Sequence, residues 1–248
     1  LPSDESPERE ARLEWDAAAC RRVRDAADAV GTDIGGICLS IHRRIGPGSA
    51  DPAVRRRARE VMARGLQVCH DLGVPVIQIA GYYCYYEDPG PDAERWYGEL
   101  LADAVPMAAR LGVVMGIENV DGTDVTSIRK AMEFVDAVGS PYLQVYPDLG
   151  NIAEQQLDPA VELTAGEGHM VAMHAKDVRP GEPRRVEMGV GTVDWNRSFE
   201  LLRAQHWAGR LMIEMWNDDA PDSVARCIDA REFIEDRAAS AGIPVLAP

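Results

Sequence analysis

Paired cysteines, long apolar runs and basic charge are all scarce in this sequence. The five cysteines (Cys20, Cys38, Cys69, Cys84, Cys227) form no CxxC pair, are odd in number and sit mostly in apolar stretches. A zinc finger or dithiol motif is thereby excluded, and the thiols read as small core residues of a reducing, cytoplasmic protein. The longest apolar stretches, residues 74–80 and 111–117, fall far short of the roughly 18 residues a membrane span requires. No membrane partner is expected. Lysine and arginine number 26 against 41 aspartates and glutamates, a formal charge of −15. Nucleic-acid phosphates need a basic stripe, so that partner is excluded too. No glycine-rich dinucleotide loop or Walker loop follows any apolar run. The opening Leu1-Pro-Ser-Asp-Glu carries neither an initiator Met nor a basic, apolar leader. It reads as the interior of a longer chain.

What is present is an alternation. Six short runs rich in Val and Ile, residues 36–40, 74–80, 113–118, 142–146, 170–174 and 211–215, stay free of charge until their last positions. That is the signature of parallel strands buried on both faces. Helix-period stretches lie around them at 7–29, 52–72, 92–111, 126–138, 159–166, 194–205 and 223–241, with Asp51-Pro52 and Asp158-Pro159 each placing a capping residue before a proline. Strands alternating with helices predict βαβ units and a parallel sheet, and the missing nucleotide loops favour a (β/α)8-type barrel over an open sheet. Six strands are two fewer than eight, so one barrel domain over 1–248, incomplete at its N-terminus, is expected.

Active sites of parallel barrels sit where the strands end. Four successive runs end in polar residues of one kind: Ile-Glu118-Asn-Val-Asp121, Pro147-Asp148-Leu-Gly150-Asn151, His174-Ala-Lys176-Asp177 and Ile-Glu214-Met-Trp216. A single carboxylate closing a strand is commonly a helix cap, but four such positions in four consecutive units predict one site. Three carboxylates cannot converge while ionised unless a cation joins them. Glu118, Asp148, His174 and Glu214 therefore form the expected metal site, whose oxygen-rich donors suit Mn²⁺ first, with Mg²⁺, Co²⁺ or Zn²⁺ as alternatives. Elsewhere His42-Arg43-Arg44 follows the first run and precedes a capped helix, either an anion site or a solvated basic loop. Four of the seven tyrosines cluster at Tyr82, Tyr83, Tyr85 and Tyr86, either covering a sugar or packing against neighbouring loops.

The motifs Cys38-Leu-Ser40-Ile-His42-Arg43-Arg44, Ile77-Gln78-Ile-Ala-Gly81-Tyr82, Tyr146-Pro147-Asp148-Leu-Gly150-Asn151, His174-Ala-Lys176-Asp177 and Ile213-Glu214-Met-Trp216 resemble the L-ribulose-5-phosphate (L-xylulose-5-phosphate) 3-epimerases of the xylose-isomerase-like barrels. The resemblance implies a ketopentose 5-phosphate substrate, a metal on Glu118, Asp148, His174 and Glu214, and acid/base roles for Glu118 and Glu214. It also implies a first strand and helix and most of a second strand ahead of Leu1. Phosphate binding is expected on His42, Arg43 and Arg44, with Lys176 turned to the same end of the barrel, and Asp177 orienting Lys176 or His174. The chain departs from that family in carrying Gly189-Val190-Gly191 and Glu118-Asn119-Val120-Asp121. Partners are expected to be a small sugar phosphate and, in a homodimer, a second copy. Alternatives left open are a free-ketose epimerase, a related sugar isomerase and a non-catalytic sugar-binding barrel.

Overall fold

The computed structural model describes residues 7–216 and 220–246, so the opening Leu1-Pro-Ser-Asp-Glu lies outside the described residues. Six strands occur among them: β1 (Ile37–Cys38), β2 (Val76–Ala80), β3 (Val114–Glu118), β4 (Leu143–Val145), β5 (Ala172–Ala175) and β6 (Arg210–Ile213). They fall on the six predicted runs. Among the described residues nine α-helices accompany them: α1 (Pro7–Ala11), α2 (Ala17–Ala29), α3 (Pro52–Leu72), α4 (Ala93–Leu111), α5 (Ile128–Val138), α6 (Leu149–Glu154), α7 (Pro159–Ala165), α8 (Trp195–Ala204) and α9 (Ser223–Ser240).

The chain forms two compact units, one holding residues up to Glu118 with Glu133–Gln144, the other Asn119–Met132 and the residues from Val145 on. In the first unit β1, β2 and β3 pair in parallel, with Val76–Ala80 in full register with Val114–Glu118. The β-branched and Met side chains of these strands are the core: Ile77, Ile79, Met115 and Ile117 have no accessible surface and lie with Met62 and Leu66 of α3 and Leu100 and Leu101 of α4 among the most buried residues. Gly65 lets α3 come close to the sheet, since a Cβ there would stand 2.8 Å from Leu39 Cδ1 and 3.1 Å from Ile77 Cδ1.

In the second unit β5 and β6 pair in parallel from Ala172↔Arg210 to Ala175↔Ile213, and isolated bridges join Val145 to Met170 and Asp148 to His174. Leu163, Met173, Phe199 and Leu202 fill its core. Strand β6 departs from the expectation of burial on both faces, because Met212 is 48% exposed. Among the described residues its ladder runs along one side only, with β5, which leaves alternate side chains uncovered.

Three further departures have local causes. The expected helix 7–29 breaks at Trp15-Asp16, where the Asp16 carboxylate accepts from Ala19 N at 2.7 Å and starts α2 afresh. Helix α6 was not expected, and its cap is Asp148 itself. Cysteines 38 and 227 are exposed; only Cys20, Cys69 and Cys84 are the core residues foreseen, and burial pushes the Cys69 thiol up to about 12. No disulfide joins any two cysteines among the described residues, and no described helix is long and apolar enough to cross a membrane.

Candidate metal centre

The register of the second unit's strands sets its site. Asp148 lies opposite His174 in a parallel bridge, and His174 N donates to Pro147 O at 2.8 Å. One position further on, Glu214 N donates to Ala175 O at 3.0 Å, directly past the last β5–β6 pair. Three strand ends therefore deliver their side chains at one level. Asp148, His174 and Glu214 each offer a ligand atom, and these atoms lie within 4.8 Å of one another. The His174 Nδ1 to Glu214 Oε2 distance is 3.3 Å, and the Tyr146 ring meets the imidazole edge to face at 4.9 Å, restraining its rotation.

Asp148 has no exposed surface, so every lone pair needs a partner inside the protein. Asn151 supplies two, its N–H to Oδ1 at 3.1 Å and its Nδ2 to Oδ2 at 2.9 Å. The Lys176 ammonium stands 3.0 Å from Oδ2 and donates to Asn151 Oδ1 at 2.6 Å. Asn119 fixes the backbone on both sides, accepting from Asp148 N at 2.8 Å and donating to Asp148 O at 3.1 Å, while Asn151 Nδ2 donates to Asn119 O at 2.8 Å. Gly150 is required for this packing: a Cβ there would lie 2.6 Å from the Lys176 carbonyl oxygen and 2.9 Å from its Cε. A divalent cation fits the donor set, two carboxylates and an imidazole at one focus with a single ammonium beside one of them.

Glu118 closes β3 as the last residue of the first unit; it is buried, and Gln78 Nε2 donates to its Oε2. The next residue in the chain is Asn119, the clamp of Asp148. Asp177 serves neither Lys176 nor His174. Its Oδ1 accepts from Val178 N at 3.0 Å and Val193 N at 3.3 Å, and its Oδ2 from Gly189 N at 2.8 Å, Gly191 N at 3.0 Å and Trp195 Nε1 at 3.3 Å. It gathers the loop after β5. Gly191 is mandatory there, because a Cβ would fall 2.1 Å from Asp177 Oδ1.

The residues expected to take a phosphate do not share one direction. His42 is buried, with Nε2 3.1 Å from Ala58 O, and burial holds its pKa down at about 4. It is a neutral strut and cannot lend positive charge to an anion. Arg44 pairs with Glu10, which also meets Arg57 at 3.2 Å, and Lys176 is buried against Asp148. Arg43 lies over Tyr82 and Tyr85, 5.9 Å and 5.5 Å from their ring centroids. The tyrosine cluster thus packs internally, Tyr83 stacking on Tyr97 and Phe134. Sequence reasoning gave no role to Asn119, Asn151, Tyr146 or Gln78. The signal was an amide one residue after Glu118 and another three residues after Asp148, the spacing at which a side chain returns to a helix cap.

The chain belongs to the xylose isomerase-like TIM barrel family, whose pattern it matches over residues 2–237, and within it to the L-ribulose-5-phosphate 3-epimerases. It is 38% identical over 240 residues to L-ribulose-5-phosphate 3-epimerase UlaE of Shigella boydii serotype 18, covering 97% of this chain and 84% of that one. The same identity and coverage hold for the protein of that name from Escherichia coli O157:H7 strain EC4115. Among solved structures, an L-ribulose 3-epimerase aligns with a TM-score of 0.75 at 19% identity, over 89% of this chain and 80% of that one. A D-psicose 3-epimerase aligns at 0.78 and 18% identity, over 94% and 87%. These structural likenesses establish the α/β fold with parallel strands. The chain is an isomerase of the carbohydrate-epimerase class, with a buried Asp, His and Glu group able to hold a divalent cation.

Two outcomes follow from the buried charges. In Lys176→Met, Asp148 loses its cation, and the metal-free protein should unfold about 3–5 kcal/mol more easily in urea, as expected when one partner of a buried pair is removed; saturating Mn²⁺ should recover much of that loss. His42 is neutral when folded but takes a proton near its ordinary 6.5 when unfolded. The unfolded state therefore binds more protons below that pH, and stability falls as the pH drops from about 6.5 towards 4, by roughly 3 kcal/mol at the foot of the window. That component should be absent from the difference between urea curves of His42→Gln at about pH 7 and about pH 4.5.

Proposed function

We propose that the protein is a metal-dependent epimerase that inverts C3 of a ketopentose 5-phosphate, interconverting L-ribulose 5-phosphate and L-xylulose 5-phosphate. The observation that carries this reading is the common level at which β-strand register delivers Asp148, His174 and Glu214, in a chain 38% identical to L-ribulose-5-phosphate 3-epimerases. Glu118 completes the ligand set. It is a buried carboxylate ending the strand before Asn119, where the resemblance to the family implies a ligand.

The proton on C3 of a ketose is acidic only through the neighbouring C2 carbonyl, so the site must remove it and stabilise the charge that moves onto oxygen. A divalent cation, Mn²⁺ foremost and Mg²⁺, Co²⁺ or Zn²⁺ otherwise, supplies Lewis-acid polarisation of that carbonyl when bound. Glu118 and Glu214 act as base and acid on opposite faces of the sugar: one takes the C3 proton, the other returns one to the opposite side. Asp148, fixed by Asn119, Asn151 and Lys176, and His174, restrained by Tyr146, hold position without exchanging protons. The phosphate end draws on Arg43.

A free ketose is the second reading, because His42, Arg44 and Lys176, three of the four side chains expected at a phosphate, are engaged within the protein. Rates on L-ribulose 5-phosphate and on free L-ribulose separate the two. For the two-base chemistry, Glu118→Gln and Glu214→Gln should each cut epimerisation by at least about a hundredfold, the size of a lost general base. Neither should wash deuterium into C3 from heavy water at the wild-type rate. Wild-type exchange in either variant contradicts the scheme.

A further inference from the structure

Strand β2 reads Val76-Ile77-Gln78-Ile79-Ala80, and one amide interrupts its apolar run. Side chains alternate along a strand, and Ile77 turns to α3, where its Cδ1 lies beside Gly65. Gln78 therefore turns to the opposite face of the sheet. Register decides what it meets there. Gln78 lies beside Gly116 of β3 and Ala80 beside Glu118, so Gln78 and Glu118 share that face, two positions apart. Glycine at 116 puts no side chain between them, and a glutamine is long enough to span such a diagonal. Its Nε2 donates to Glu118 Oε2.

Packing alone does not account for an amide at this position. Gln78 is 4% exposed, and its Oε1 is buried with no hydrogen-bond partner among the described residues. A methionine of similar length would pack there without burying an unmet acceptor, which costs stability. What the amide contributes is its donor. The nitrogen cannot change places with the oxygen, because a carboxylate only accepts and an amide oxygen turned towards it would oppose it. The backbone behind that donor is held on both sides. Strand β2 lies between β1 and β3, Gln78 is in register with Cys38 and with Gly116, and Leu39 N donates to Gln78 O at 2.9 Å. A donor on a doubly paired strand fixes the direction of a carboxylate more firmly than one on a loop.

We propose that Gln78 is a positioning residue: it holds Glu118 by one carboxylate oxygen in the direction that a bound cation and proton transfer at C3 require. This rests on the epimerase reading for the proton but not for the cation, and the test separates the two. Mn²⁺ affinity of the whole chain is measured in a double-mutant cycle. Gln78→Met keeps the length and removes the donor, while Gln78→Asn keeps an amide but draws it back by one methylene. Each should weaken Mn²⁺ binding by about tenfold or more, as loss of a ligand's hydrogen-bond partner does. Neither should weaken it further in a Glu118→Ala background, where no carboxylate is left to hold. With L-ribulose 5-phosphate the same two variants should lower kcat by about tenfold with KM little changed. Substrate deuterated at C3 should then show a larger isotope effect than in the wild type, because proton removal has become the slow step. Mn²⁺ affinity unchanged in both Gln78→Met and Gln78→Asn overturns the proposal. So does an equal further loss in Glu118→Ala, the mark of a general packing defect, and so does a wild-type protein that binds no divalent cation. Coupling between Gln78 and Glu118 in Mn²⁺ affinity, in a wild-type protein that epimerises no ketose, upholds it and overturns the epimerase reading instead.

Discussion

A carboxylate with no access to water is the constraint around which the second unit is arranged. Asp148 must be met on every side by donors, and the meeting groups come from three separate segments: Asn119 after β3, Asn151 in α6 and Lys176 after β5. Each of these groups is itself buried, so none can be exchanged without stranding another. Hence Gly150: any larger residue would push Lys176 away from the oxygen it neutralises. One aspartate thus acts as helix cap and ladder partner while standing in the candidate metal group.

Sheet geometry does the remaining positioning. Parallel strands in register present their final residues at a common height, and that is how Asp148, His174 and Glu214 come together from segments far apart in sequence. The loops beyond them are held by dedicated groups: Asp177 takes four backbone N–H groups and an indole, and Asp121 takes Arg184.

The strands were legible because buried parallel strands exclude charge, so each apolar run ended near the residue that closes its strand; Glu118 and Glu214 were visible for that reason. Burial on both faces was not legible for β6, since Leu211, Met212 and Ile213 look the same whether a neighbour covers them or not. Helix α6 escaped notice because its start, Asp148, had already been read as a ligand, and the same side chain also caps the helix. The directions of the basic loop were not legible: His42, Arg43 and Arg44 are adjacent in sequence, yet one turns inward to Ala58, one onto tyrosines and one to Glu10.

The central claim is that the Asp148, His174 and Glu214 focus is a cation site balanced by Lys176. Equilibrium dialysis of wild-type protein and Asp148→Asn against Mn²⁺, with bound metal counted by its paramagnetic resonance, addresses it directly. The account predicts about one tightly held ion per chain in the wild type, and affinity weakened by about a hundredfold or more in Asp148→Asn. Absence of stoichiometric Mn²⁺, Mg²⁺, Co²⁺ or Zn²⁺ in the folded wild-type protein, or binding that Asp148→Asn leaves unchanged, would contradict it.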